Sequence, residues 1–95
     1  MINKDEILRI TQEECAEVIQ AISKVFRFGI DESYENQTNR QRLTSELGDL
    51  QCMIDLIKES KLVSANELDL AVQSKRIRLE KWSNIFSQRE EETVQ

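Results

Sequence analysis

An all-α fold is predicted for this chain: a three-helix subunit that forms an oligomeric helical bundle with partner copies. Proline is absent and the two glycines leave long stretches free to be helical. Apolar residues recur at spacings of three and four along most of the chain. With 95 residues, a single small domain has a core of marginal stability, so association with copies of itself is expected. Three helices of unequal apolar content fit that arrangement.

The first helix opens at Asn3-x-x-Glu6, a capping-box pattern, and its apolar periodicity runs through Phe26. Gly29 ends it, because a glycine just past the last turn adopts the left-handed conformation readily. The segment GIDESYENQTN that follows is polar and turn-rich, and reads as the one long loop. A second helix spans about Thr38 to Ser60 and carries Gly48 inside it. A third opens at Ser64-x-x-Glu67, another capping box, and continues to about Gln88. The remaining REEETVQ reads as a charged, frayed tail. No repeat, low-complexity tract or boundary interrupts residues 1–95, so they read as a single domain.

The net charge of −5 and the absence of histidine argue against a nucleic-acid surface and against His-based metal or acid–base chemistry. No apolar leader core is seen at the N-terminus and no run of 18 apolar residues occurs, so a soluble cytoplasmic protein without membrane contact is expected. Cys15 and Cys52 lack CxxC spacing and read as reduced packing residues.

The informative anomaly is QEECAEVIQ, where Glu13, Glu14 and Glu17 interrupt a helix that otherwise favours burial. At 100° per residue, Ile7, Ile10, Val18, Ala21, Ile22 and Val25 form a wide apolar arc. Glu14 falls inside it, Glu17 at its edge, and Glu13 about 40° further out. The second helix repeats the pattern: Leu43, Leu47, Leu50, Met53, Ile54 and Ile57 define a stripe that contains Glu46, with Asp49 between Met53 and Leu56. Each helix thus offers two carboxylates at i, i+3. Glutamates are rarely buried without a partner, and two carboxylates held 4–5 Å apart repel by roughly 3–4 kcal/mol at an effective dielectric near 20. Divalent cations relieve that repulsion, and an all-oxygen donor set suits Mg²⁺ or Mn²⁺.

The third helix supplies the opposite sign. Leu68, Val72, Leu79, Trp82 and Phe86 form its stripe, Lys75 interrupts that stripe, and Arg78 flanks it. Lys75 and Lys24, the latter angularly next to Glu17, are candidate phosphate ligands, although a lysine in such a stripe also snorkels. Trp82, Phe26, Phe28 and Tyr34 are aromatic enough to stack on a base, while Phe26 and Trp82 at helical spacing also suit a core. Asn36 and Asn39 read either as substrate contacts or as helix caps. Metal carboxylates with lysines, and no nucleophile, histidine or glycine-rich phosphate loop, point to metal-assisted phosphoryl chemistry.

Glu13-Glu14-x-x-Glu17, followed after 28 residues by Glu46-x-x-Asp49, resembles the EExxE…ExxD pattern of MazG-like all-α nucleoside triphosphate pyrophosphohydrolases. The surrounding EECAEVIQAISKVFRFG and LTSELGDLQCMIDLI are similar as well, and the resemblance covers about residues 5–82. It implies Mg²⁺-dependent cleavage of a (d)NTP to the monophosphate and pyrophosphate. It further implies Glu14, Glu17, Glu46 and Asp49 as metal ligands, Glu13 in a supporting or water-positioning role, and Lys75 as a phosphate contact. Arg78 and Leu79 stand where relatives often carry an asparagine. A dimer or tetramer is also implied. A relative acting on phosphoribosyl-ATP belongs to the same class, and a non-catalytic helical interaction module with a vestigial acidic patch is the alternative from another class.

Overall fold

The computed structural model describes residues 2–86. In chain order it contains α1 (Lys4–Phe28), β1 (Ser33–Tyr34), β2 (Gln37–Thr38), α2 (Asn39–Glu59) and α3 (Ala65–Trp82). The chain divides into two compact units, Met1–Leu62 and Val63–Gln95. Helix dominates both, as the periodicity predicts.

In the first unit α1 packs along α2. Glu14, midway along α1, gathers with Glu46 and Asp49 midway along α2, while Lys24 near the end of α1 shares a small pocket with Arg42 near the start of α2. The two helices are therefore antiparallel. Asn3 caps α1 by accepting from the Glu6 amide at 3.0 Å, and Asp5 and Glu6 in the first turn complement the positive end of the helix dipole. Gly29 closes α1, its amide donating to the Val25 carbonyl at 2.8 Å. Its φ of 101° has the positive sign expected, but ψ of 149° puts it in the extended positive-φ region, which is essentially reserved for glycine, and not in the left-handed helical one.

The connection is more ordered than a loop. Ser33 pairs with Thr38 and Tyr34 with Gln37 in a two-stranded antiparallel hairpin. Its two turn residues, Glu35 and Asn36, both have positive φ, 52° and 67°; positive φ at both central positions characterises a type I′ turn. Asn36 is thus a turn residue and not a cap. The hairpin is tied to α2 by the Asn39 amide donating to the Glu32 carbonyl at 3.0 Å, the Arg40 amide donating to the Ile30 carbonyl at 2.8 Å, and an Arg40–Asp31 ion pair at 3.0 Å. Thr38 caps α2 in a reciprocal box with Gln41, at 3.0 and 2.8 Å. Asn39 caps nothing. It is buried, and its side-chain amide donates to the Gly29 carbonyl at 2.8 Å, which joins the end of α1 to the start of α2.

Among the described residues of this unit Ile7, Ala21 and Met53 are the buried apolar ones, a thin core for two long helices. Ile22, at one edge of the apolar arc, is 40% exposed, and Ile19 and Phe26 beyond it are 68% and 86% exposed, so α1 carries apolar surface that α2 does not cover. Cys15 and Cys52 are free and exposed, so the packing role expected of them is not seen.

In the second unit Ser64 caps α3, accepting from the Glu67 amide at 3.2 Å. The helix ends at Trp82, short of the expected Gln88. Ser83 stops it: its hydroxyl donates to the Leu79 carbonyl at 2.6 Å and accepts from the Ile85 amide at 3.3 Å, competing with the backbone ladder. The expected tail, and the last residues expected in the helix, lie outside the described residues. Leu68, Leu79 and Phe86 are half-buried while Val72 and Trp82 are exposed, so no residue of α3 is buried. Among the described residues no helix is long and apolar enough to cross a membrane.

Candidate functional site

Glu46 and Asp49 sit three residues apart on α2 and therefore share a face. Glu14 approaches them from α1, and ligand oxygens of the three carboxylates all lie within 4.8 Å of one another. Glu14 and Glu46 are half-buried and Asp49 is exposed, so the cluster lies at the rim of the α1–α2 contact and not inside a core. Partial burial is the first cause that pushes the Glu14 carboxyl above its ordinary value; the charges of Asp49, Glu46, Glu17 and Glu13 follow in that order. Half-buried among like charges, Glu14 is less willing to ionise than a free glutamate.

The donor set fits a hard divalent cation. Mg²⁺ holds oxygens at about 2.1 Å, so opposite ligands stand about 4.2 Å apart. Oxygens already within 4.8 Å of one another need only a small side-chain movement to close on such an ion. Carboxylates alone, without thiolate or imidazole, match Mg²⁺ or Mn²⁺ better than softer metals.

The other acids of the motif stand apart from this group. Glu13 and Glu17 are exposed, and both act on Glu14 through charge. Glu17 lines a small pocket of about 60 Å³ with Gln20, Ala21, Lys24, Arg42 and Glu46. Glu46 thus belongs both to the carboxylate group and to a pocket that carries two cations.

Next to it opens a larger cleft of about 520 Å³, whose walls are the end of α1, the hairpin and the first turn of α2. Lys24 and Arg42 line both spaces. Arg27 adds a third cation, its guanidinium 4.9 Å from the centre of the Phe28 ring, and an Arg42 nitrogen donates to the Tyr34 carbonyl at 3.5 Å. Sequence reasoning found Lys24 and missed Arg42. The signal was present, since Arg42 precedes Glu46 by four residues and so lies on the same face of α2.

Lys75, Arg78 and Trp82 lie on α3, in the second unit, and all three are exposed. Their spacing of three and four places them along one side of that helix. Arg78 donates to its own helix at the Ser74 carbonyl, 3.4 Å away, and Lys81 stands 5.6 Å from the centre of the Trp82 ring.

Comparison with protein-family models, curated proteins and solved structures finds no match to this chain.

Proposed function

We propose that the protein is a Mg²⁺-dependent nucleoside triphosphate pyrophosphohydrolase of the MazG-like type, converting a (d)NTP to the monophosphate and pyrophosphate. The observation that carries this reading is the meeting of Glu14, from α1, with Glu46 and Asp49, from α2, in one group of carboxylates. Carboxylates this close repel one another, and a divalent cation relieves that repulsion. The reaction exchanges one P–O bond of the α–β bridge for a P–O bond to water. A divalent cation supplies charge neutralisation at the phosphate oxygens and acidifies a bound water.

The chain's own residues do the rest. Glu14, Glu46 and Asp49 would hold the cation, and Glu17, a ligand that the resemblance implies, would complete the set. Glu13, on the outer side of the same helix, positions the incoming water. Lys24, which lines the small pocket with Glu17 and Glu46, would take negative charge from the phosphates; Lys75 and Arg78 are proposed as further phosphate contacts on the resemblance and the α3 stripe alone. Trp82 offers an exposed ring to a substrate or to a second chain.

The working form is a homo-oligomer, dimer or tetramer. Leu70, Val72, Ile77 and Trp82 are all exposed on a single helix, and an aqueous surface does not favour so much apolar area on one short element. The same exposure favours one second reading, a helical interaction module whose acidic patch is a relic. Pyrophosphate release from a mixture of (d)NTPs, with and without Mg²⁺, separates the two. A Mg²⁺-dependent burst of pyrophosphate establishes the hydrolase; none from any nucleotide leaves the module.

A further inference from the structure

We propose that the cleft between the end of α1, the hairpin and the start of α2 holds the nucleoside end of the substrate, with Tyr34 stacking on the base and Arg42 gripping the phosphates together with Lys24. This deepens the pyrophosphohydrolase reading and rests on it.

The first support is the match of size to chemistry. The cleft measures about 520 Å³, within the roughly 300–1,000 Å³ of pockets that enclose small organic ligands. Lys24, Arg27 and Arg42 are set against a single acid, Glu32, with two aromatic rings, Phe28 and Tyr34, in the same wall. In a chain of net charge −5, such a local excess of cations beside flat rings selects an anionic ligand with a planar part. A nucleoside phosphate is that ligand.

The second support is continuity. Lys24 and Arg42 line this cleft and also the small pocket that contains Glu17 and Glu46, and Glu46 belongs to the carboxylate group. A nucleotide whose base lies in the cleft therefore leads its phosphates past both cations to the acids. Among the described residues, the ion pairs are Asp5–Arg9 and Asp31–Arg40; neither takes Lys24, Arg27 or Arg42. A guanidinium without a carboxylate partner suits bidentate contact with a phosphate.

The third support is rigidity. Tyr34 is held in register opposite Gln37 by the hairpin, and the hairpin is tied to α2 through Asp31, Glu32 and Ile30. Tyr34 is 66% exposed, which leaves room for a base, and stacking of this kind tolerates any base.

The test uses α,β-methylene analogues of the common ribo- and deoxyribonucleoside triphosphates, which resist cleavage at that bridge, so binding is measured by calorimetry with Mg²⁺ present. The full chain is expected to bind at least one of them. Tyr34→Ala and Arg42→Gln should each weaken that binding about tenfold or more, while Tyr34→Phe recovers most of it and Arg42→Lys, which keeps the charge without the bidentate fork, only part. Circular dichroism confirms that the helices persist. Wild-type affinity in both Tyr34→Ala and Arg42→Gln overturns the cleft. So does failure of the unaltered chain to bind any analogue. Pyrophosphate release from the cleavable nucleotides is measured alongside: if it persists, only the cleft is lost; if it is absent while the cleft variants still weaken binding, the cleft stands and the hydrolase reading falls.

Discussion

Glu14 on α1 and Asp49 on α2 bring carboxylate oxygens within 4.8 Å of each other across the helix pair, and Asp49 is the strongest single charge acting on Glu14. Burial and these neighbours raise the Glu14 carboxyl above its usual 4.5. A carboxyl raised on folding binds its proton more tightly in the folded state, so stability falls as pH rises from 4.5 through the raised value. In EDTA, acidification from neutral pH toward 4.5 should therefore relieve this term and raise the melting temperature. Glu14→Gln should remove the term and flatten the profile over that window. Asp31 acts in the opposite sense, because the hydrogen bond from Arg40 lowers its carboxyl below 3.8, but its contribution is lost only on acidification below that value. Thermal melts of both proteins across this range are the measurement, and identical profiles would remove Glu14 from the strained group.

Metal binding should discriminate between Asp49 and Glu17. Asp49 is in the three-carboxylate group and Glu17 is outside it. A cation that binds only the folded state raises the melting temperature. Millimolar Mg²⁺ or Mn²⁺ should do so for the unaltered chain, for Asp49→Asn not at all, and for Glu17→Gln to the greater part of the original shift. Both variants should lose turnover, Glu17→Gln because the phosphate-bound state lacks its last carboxylate. Equal loss of the melting shift in the two would place Glu17 among the resting ligands.

The helices were legible because of apolar spacing along their length and, for α1 and α3, the caps Asn3 and Ser64 at their starts; the Thr38 cap of α2 was not read as one. Glu14 and Glu46 were legible as anomalies on apolar stripes. The hairpin was not, because its turn is Glu35-Asn36 and lacks the glycine that usually announces positive φ at both positions. The end of α3 was missed for a similar reason, since Ser83 breaks the helix through its hydroxyl without any proline or glycine. Arg42 was missed because its importance depends on the cleft, which is created by the hairpin. A wheel of one helix places Glu17 beside Glu14, yet only the packing of α1 on α2 decides which of the two meets Asp49.

Asn39→Ala should destabilise the first unit by about 0.5–1.5 kcal/mol, the usual net worth of a hydrogen bond. Asn39 is buried, and its side chain donates to the Gly29 carbonyl at 2.8 Å, an acceptor that the Glu32 amide also reaches at 3.4 Å. Denaturant unfolding reads the loss directly. An unchanged midpoint would mean that water replaces the amide at no cost.

The two glycines should respond to alanine with opposite signs. At Gly29 a Cβ would meet nothing within 4 Å, but φ is 101°, so Gly29→Ala should cost about 1–3 kcal/mol in backbone strain. At Gly48 a Cβ also meets open space, in ordinary helical backbone, so Gly48→Ala should stabilise the monomer by about 0.5–1 kcal/mol. Chemical unfolding of both variants checks the pair. A loss at Gly48, accompanied by a change of oligomeric state in size-exclusion chromatography, would reveal that a second chain packs closely against that position.

Lys75 is exposed on α3 and belongs to neither of the ion pairs among the described residues. Replacing a surface lysine of this kind usually changes stability by less than about 0.5 kcal/mol, so a phosphate role and a merely solvated role separate cleanly in kinetics. If Lys75 meets phosphate charge as it builds up, Lys75→Ala should lose about tenfold in kcat/KM, or about 1.4 kcal/mol of barrier, with an unchanged melting temperature. The neighbouring Val72 and Trp82 are exposed, and their burial against a second copy would let Lys75 serve a site whose acids belong to that copy. Mixing the weakened Lys75→Ala with inactive Asp49→Asn subunits tests this. Activity returning after subunit exchange means that acids and lysine come from different chains. Exchange without recovery means that each site draws both from one chain, and normal kinetics in Lys75→Ala alone ends its phosphate role.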